Sequence, residues 1–323
     1  MTAAPLHLSV ILCTYNPRAD LIARALRALG AQTLARRRWE LIVVDNNSTP
    51  ALDADRLERL AARPIRLLRE PRQGLVFARA CGIAAARASE IVFVDDDNEL
   101  ASDYLDAALR VFHAEPDLGC FGGVCEGALE RGVGRLKRAY LPHLGVREVG
   151  DAPLTGSGAA WGLHEPIGAG LCVRANVAEA YRTFVETDAG ASGLGRQGAA
   201  LLSGEDSLFS RIADVLGYAV GYRPQLFLRH HITARRLTYR YLARLLEGHG
   251  VSQVALRRLG GETISPPPRG SIWRNFGHRW RTEGLASALG HIFWDRGFAR
   301  AAAQTAQTPP QALSPERLGR RAA

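Results

Sequence analysis

Apolar residues come along this chain in short unbroken runs. Leu8 to Cys13 (LSVILC) is the first, Leu41 to Val44 the second and Ile91 to Val94 the fourth, with a weaker run, IRLLRE, at 65–70. Uniformly apolar strands suit a sheet buried on both faces, because a one-sided sheet would alternate apolar and polar. Between the runs lie segments with helical spacing: Ala19 to Leu29, 51–62 and the Ala-rich 74–88. Strand and helix in alternation predict an α/β fold with a mostly parallel sheet flanked by helices. Each main run ends in polar residues: Thr14, Tyr15 and Asn16, then Asp45 and Asn46, then Asp95, Asp96 and Asp97. Ligands of such sheets bind beyond the carboxyl ends of the strands. The pattern therefore collects these side chains at one rim.

From Asp117 to Pro166 the chain is Gly-rich and predicts irregular structure. GAGLCVR (168–174) predicts a strand entering a helix. Residues 203–217 predict a helix opened by Ser203 or Gly204, with two acids in its first turn. YAVGYRPQLFLRHHI predicts one or two short strands ending at His230 and His231. A basic helix over 236–259, a break at SPPPRG (265–270) and an amphipathic segment follow. The tail after Gln304, rich in Ala, Gln, Pro and Arg, predicts a loose chain.

A length of 323 residues, 47% of them hydrophobic, fits one large α/β domain with an appendage. The 41 basic and 32 acidic residues leave a net charge of +9. That balance favours acidic partners: nucleic acid, an anionic membrane or phosphorylated small molecules. The basic residues are spread along the chain instead of clustering with aromatics, which argues against nucleic acid. Five cysteines (Cys13, Cys81, Cys120, Cys125 and Cys172) match no metal spacing and read as reduced thiols of a cytosolic protein. The start, MTAAPLHLSVILCTYNP, reads as a first strand and not a signal peptide. No run of 18 apolar residues predicts a membrane span.

Three adjacent carboxylates repel one another unless a cation or water neutralises them. As hard oxygen donors they suit Mg²⁺ or Mn²⁺ shared with substrate phosphates. The plain alternative is an acidic surface turn, but such a turn seldom follows four buried strand residues. Taken in order, SVILCTYNP, WELIVVDNNST, GLVFARACGIAAARASEIVFVDDDN, GAGLCVR and SGEDSLFSRIADVLGYAVGYRP resemble family 2 glycosyltransferases of the GT-A fold. The ordered set is far more specific than any one motif. HHITARRLTYRYLARLLEGHGVSQ is similar in particular to bacterial enzymes that build surface or extracellular polysaccharides.

The resemblance implies an inverting, metal-dependent transfer of a sugar from a nucleotide diphosphate to a hydroxyl of a glycan or lipid-linked sugar. It divides the chain into a catalytic domain, 1–235, a helical extension, 236–304, and the tail, 305–323. The donor-binding half covers about 1–115 and the acceptor-binding half about 116–235. VDDDN stands as the DXD motif. Asp97 and Asp95 would ligate Mg²⁺ or Mn²⁺, with His230 completing the site, and Asp95 and Asp96 would touch the donor. Thr14, Tyr15 and Asn16 would line the base and ribose pocket, and Asp45 and Asn46 would reach the nucleobase. Family members often carry a second acid where this chain has Asn46. An Asn carbonyl still accepts from a pyrimidine N3–H, so UDP- and dTDP-sugars both fit. Asp206 would be the general base, with Glu205 beside it. Acids in a first helical turn also stabilise the helix dipole with no catalysis involved. Arg72, Arg79, Arg235 and Arg236 could face the diphosphate, and Arg79 stands where the family often has Arg. Trp161, Gly168 and Gly170 would border the acceptor.

Toward the C-terminus, Ile272, Trp273, Phe276, Trp280, Leu285, Leu289, Ile292 and Phe293 recur near helical spacing, with Arg274, His278, Arg279 and Arg281 between them. This suits a helix lying on an anionic membrane or one packed on the catalytic domain. The corresponding location is the cytoplasm or the inner face of the cell membrane. A sugar nucleotidyltransferase would place a Gly-rich basic loop where TYNPRAD stands, and an NAD enzyme would need G-x-G-x-x-G there. A non-enzymatic nucleic-acid-binding protein would not need the acidic rim.

Overall fold

A computed structural model describes residues 6–188, 194–196 and 201–319. The apolar runs form β1 (Leu8–Thr14), β2 (Trp39–Asp45), β3 (Arg66–Arg69) and β4 (Glu90–Asp95). Between them lie α1 (Ala19–Gly30), α2 (Ala54–Ala61) and α3 (Leu75–Ala85). The strands pair in parallel in the order β3-β2-β1-β4, with Thr14 opposite Asp45 and Cys13 opposite Asp95. This register puts three strand ends level, which builds the rim. All of β1 is buried because helices cover both faces of the sheet. Leu8, Leu26, Trp39, Val92 and Leu105 pack on one side, the last from α4 (Tyr104–Ala114). Ile11, Ile42, Val76, Phe93, Tyr181 and Phe209 pack on the other. Each such side chain contributes roughly 1.5–3 kcal/mol by leaving water.

Beyond β4 the sheet turns mixed. β8 (Cys172–Arg174) pairs antiparallel with β4 and with β6 (Leu118–Leu129). β6 runs parallel to β9 (Ala219–Ile232), which also carries β5 (Asn98–Leu100) and β7 (Leu154–Ser157) as antiparallel neighbours. Two expectations change here. The Gly-rich stretch after Asp117 holds the 12-residue strand β6, and the run ending at the histidines is one 14-residue strand. Glycine hides β6 from a pattern reading, yet it is what the strand needs. A Cβ at Gly123 would lie 2.0 Å from the Leu226 carbonyl oxygen, where the β6–β9 register shifts.

The short α5 (Arg135–Arg138) follows β6. α6 (Ala175–Thr187) and α7 (Glu205–Val215) pack on the sheet, and α8 (Tyr239–Leu259) follows β9. Thr238 caps α8 by accepting the Tyr241 N–H. The amphipathic segment is two helices, α9 (Ser271–Thr282) and α10 (Leu285–Thr305). α10 lies against α8 with backbones touching: a Cβ at Gly250 would be 2.0 Å from the Trp294 carbonyl oxygen, and one at Gly297 2.0 Å from that of Glu247. The described part of the tail is packed, contrary to the looseness its composition suggests. Leu313 donates its N–H to the Leu259 carbonyl, Leu318 is buried, and Arg317 lies over Phe184. Among the described residues no helix is long and apolar enough to cross a membrane.

Candidate active site

The three aspartates leave β4 through a tight turn closed by Asn98. Its side chain accepts the Asp95 N–H at 3.2 Å and donates to Asp97 Oδ1 at 3.1 Å. Asp96 accepts the Thr14 hydroxyl. Burial, reinforced by the Asp97 charge, raises the Asp96 carboxyl to about 7. Burial also raises Asp95, against the pull of Arg79. Asp97 goes the other way: burial opposes its charge, but His230 and Arg236 hold its carboxyl well below the usual range.

The positive side of this cluster comes from the end of β9 and the turn after it. Arg236 Nη1 lies 2.9 Å from Asp97 Oδ2 and 2.9 Å from His230 Nε2, and those two atoms are 3.3 Å apart. Carboxylate oxygen and imidazole nitrogen thus converge on one positive charge. His231 faces away and pairs with Glu99 at 2.8 Å, so the register singles out His230.

The second acidic pair heads α7, after Gly204 with its positive φ of 143°. Its two members face different surroundings. Asp206 is partly exposed, and its oxygens accept the Ser207 N–H at 2.8 Å and the Gly168 N–H at 3.1 Å. Glu205 is buried, 3.9 Å from Arg79 Nη1. Burial and the Asp206 charge raise its carboxyl to about 7, against Arg79. Arg79 itself is 1% exposed and lies between the rings of Phe93 and Phe209, 5.2 and 5.9 Å away. Burial works against its charge, but Glu205 and Asp95 more than offset that and raise its pKa. One buried guanidinium therefore supports both acidic clusters from beneath.

Residues 9–163 match the family model described as glycosyl transferase family 2. This chain carries a family 2 glycosyltransferase domain. Its fold is GT-A, as solved structures show. S. aureus TarS aligns with a TM-score of 0.50 at 14% identity, over 93% of this chain and 55% of that one. The TarS 1–349 fragment in complex with UDP-GlcNAc gives 0.50 at 13%, over 94% and 93%. GalNAc-T7 with UDP, GalNAc and Mn²⁺ gives 0.51 at 16%, over 94% and 58%. The chain thus spans little more than half the length of TarS and of GalNAc-T7, and at these identities the likeness is one of fold.

Within the glycosyltransferase domain, the expected donor residues divide by accessibility. Thr14 and Asp96 form a bonded pair on the rim, and Tyr15 is exposed. Asn16 adopts a positive φ of 46°, and its side chain accepts the Thr49 N–H at 2.8 Å. Asp45 and Asn46, which the resemblance assigns to the nucleobase, are both bonded within the protein. Asp45 is buried and accepts the Ser48 and Leu52 amides. Asn46 is 5% exposed: it donates to the Glu70 and Arg72 carbonyls and accepts from Gly74 N–H. Both brace the loops around the rim. Arg79 likewise lies below the surface, not on it.

Of the residues expected to border the acceptor, Trp161 stands 65% exposed, and Gly168 donates its N–H to Asp206. A Cβ at Gly168 would come within 2.7 Å of Arg79 Nη2. Gly170 is a packing position: its φ is +69°, its carbonyl accepts the Tyr104 hydroxyl at 2.6 Å, and a Cβ there would meet that oxygen at 2.4 Å. Arg196 was not singled out by any motif, yet its charge acts on Asp95, Asp97 and Glu205. Among the described residues no group of three or more His, Cys, Asp or Glu side chains is arranged to hold a metal. The chemistry of Asp97 and His230 nevertheless suits Mg²⁺ or Mn²⁺. Arg236 Nη1 stands within 2.9 Å of both.

Proposed function

We propose that this domain transfers a sugar from a nucleotide diphosphate to an acceptor hydroxyl with inversion at the anomeric carbon. The observation that carries the reading is Asp206. It is a partly exposed carboxylate at a helix start, fixed by two backbone N–H groups, one of them from the Gly168 loop. That is how a general base is held: one orientation, with lone pairs left for an incoming hydroxyl. The acceptor O–H donates to Asp206, which takes the proton as the oxygen attacks. Glu205 stays inside and pairs with Arg79, so it positions the helix start and does not touch substrate. Thr14 and Asp96 face the donor at the strand ends. A divalent cation held by Asp97, Asp95 and His230 would supply Lewis-acid stabilisation to the departing diphosphate. Arg236 and Arg196 bring positive charge to the same rim.

The pairing of a DXD-like turn with a separate base is what this reaction needs and what nucleotidyl transfer does not. The donor panel begins with UDP- and dTDP-sugars, since UDP-GlcNAc and UDP accompany the TarS fragment and GalNAc-T7. A role in surface or extracellular polysaccharide synthesis, on a glycan or lipid-linked acceptor, rests on the sequence resemblance over 230–253. The test is release of nucleoside diphosphate from a panel of nucleotide sugars with Mn²⁺ or Mg²⁺. One donor should turn over, and Asp97→Ala should abolish its release. A chain that neither turns over nor binds any nucleotide sugar would refute the reading.

A further inference from the structure

The face of α9 that carries Trp273 and Trp280 is largely exposed. Trp273, Phe276 and Trp280 fall on one side at helical spacing, their ring centroids 6.4 and 5.9 Å apart in sequence. Trp273 is 70% exposed and Trp280 57%. Toward the protein the helix turns Ser271, its buried residue, with half-buried Ile272 and Phe276, and Asn275 donates to Asp295 of α10 at 2.9 Å. A helix packed for its own stability buries its apolar side. Here both tryptophans are left largely in solvent, and Leu285 at the start of α10 is exposed as well.

Charge decides what this face fits. Ser271 to Thr282 contains no acid. Arg269, Arg274 and Arg281 are exposed and form no ion pair among the described residues, while Arg279 pairs with Glu283. We propose that α9 docks this face on an anionic lipid bilayer, with the indole and phenyl rings at headgroup level and the arginines on lipid phosphates. Indoles suit that depth because the ring is apolar and the N–H still finds an acceptor. A second copy of this chain would set basic helix against basic helix, a like-charge arrangement that disfavours association. The docking stands on α9 alone and does not depend on the transfer reaction.

The test is flotation of the full chain with phosphatidylcholine vesicles, with and without phosphatidylglycerol. Wild type should float with the anionic vesicles and not with the neutral ones. Trp273→Ser with Trp280→Ser should weaken binding by on the order of tenfold or more. Arg274→Gln with Arg281→Gln should weaken it about thirtyfold, as each arginine near an anionic surface contributes about fivefold. A blue shift of wild-type tryptophan fluorescence on anionic vesicles reads the same docking without any substitution. Failure of wild type to float or shift would overturn the proposal, as would equal flotation of the Trp pair variant. A wild-type dimer that the Trp substitutions dissociate would overturn it too, in favour of a second copy.

Discussion

Arg79→Met tests whether a buried charge ties the two acidic clusters together. Methionine keeps the apolar stem between Phe93 and Phe209 and removes the guanidinium. At 3.9 Å from Glu205, with an effective dielectric of about 20, the lost attraction is about 4 kcal/mol. Breaking a buried pair by removing one partner costs ~3–5 kcal/mol by general experience, so the two routes agree. The pH dependence has a defined sign. The Glu205 carboxyl sits at about 7 when folded, above its ordinary value, so its contribution favours folding at low pH and is lost as pH rises through that window. Without Arg79 the folded pKa rises further, and the penalty grows with pH. Urea unfolding of the full chain should therefore show a small loss near about pH 5 and most of the ~4 kcal/mol near about pH 9. Adding Glu205→Gln should recover at least half of the loss at high pH. A Met variant as stable as wild type at both pH values, or destabilised equally at both, would refute the pairing.

Three further outcomes are expected. Arg236→Gln empties the point between Asp97 and His230, so Mn²⁺ affinity without nucleotide, read by electron paramagnetic resonance, should rise about tenfold or more; unchanged affinity would show that Arg236 does not hold the cation's place. Glu165 is buried beside Arg211, and burial raises its carboxyl to about 7, so it destabilises the fold increasingly from about pH 5 upward. Glu165→Gln should leave the melting temperature near pH 5 unchanged and raise stability near pH 8 by up to about 3 kcal/mol; equal melting shifts at both would contradict that. Asp206→Asn should abolish transfer while donor affinity, followed by calorimetry, stays within about threefold of wild type.

The polar rim was legible because parallel strands announce themselves as unbroken apolar runs, and the residues after each run must then lie together. Thr14 and Asp96 needed only that rule. Asn46 shows where the rule stops: side-chain type is visible in a sequence, but the Glu70, Arg72 and Gly74 backbone groups that bond it come from another loop. Arg236 stood only as one of four arginines that could face the diphosphate, with nothing to tie it to Asp97. Its importance depends on a turn that folds six residues back onto His230. β6 was missed because its glycines, which read as loop, serve a close strand crossing. The packed tail was missed because Leu313 and Leu318 are single anchors in a polar context.

The measurement that bears most directly on the central claim is the single-turnover rate of sugar transfer in Asp206→Asn beside wild type, once the donor is known. Loss of a positioned general base lowers such a rate by ~10²–10⁴-fold. That drop, with donor binding intact, is the expected result. A rate within tenfold of wild type would mean that the carboxylate at the head of α7 caps a helix and does not accept the acceptor's proton.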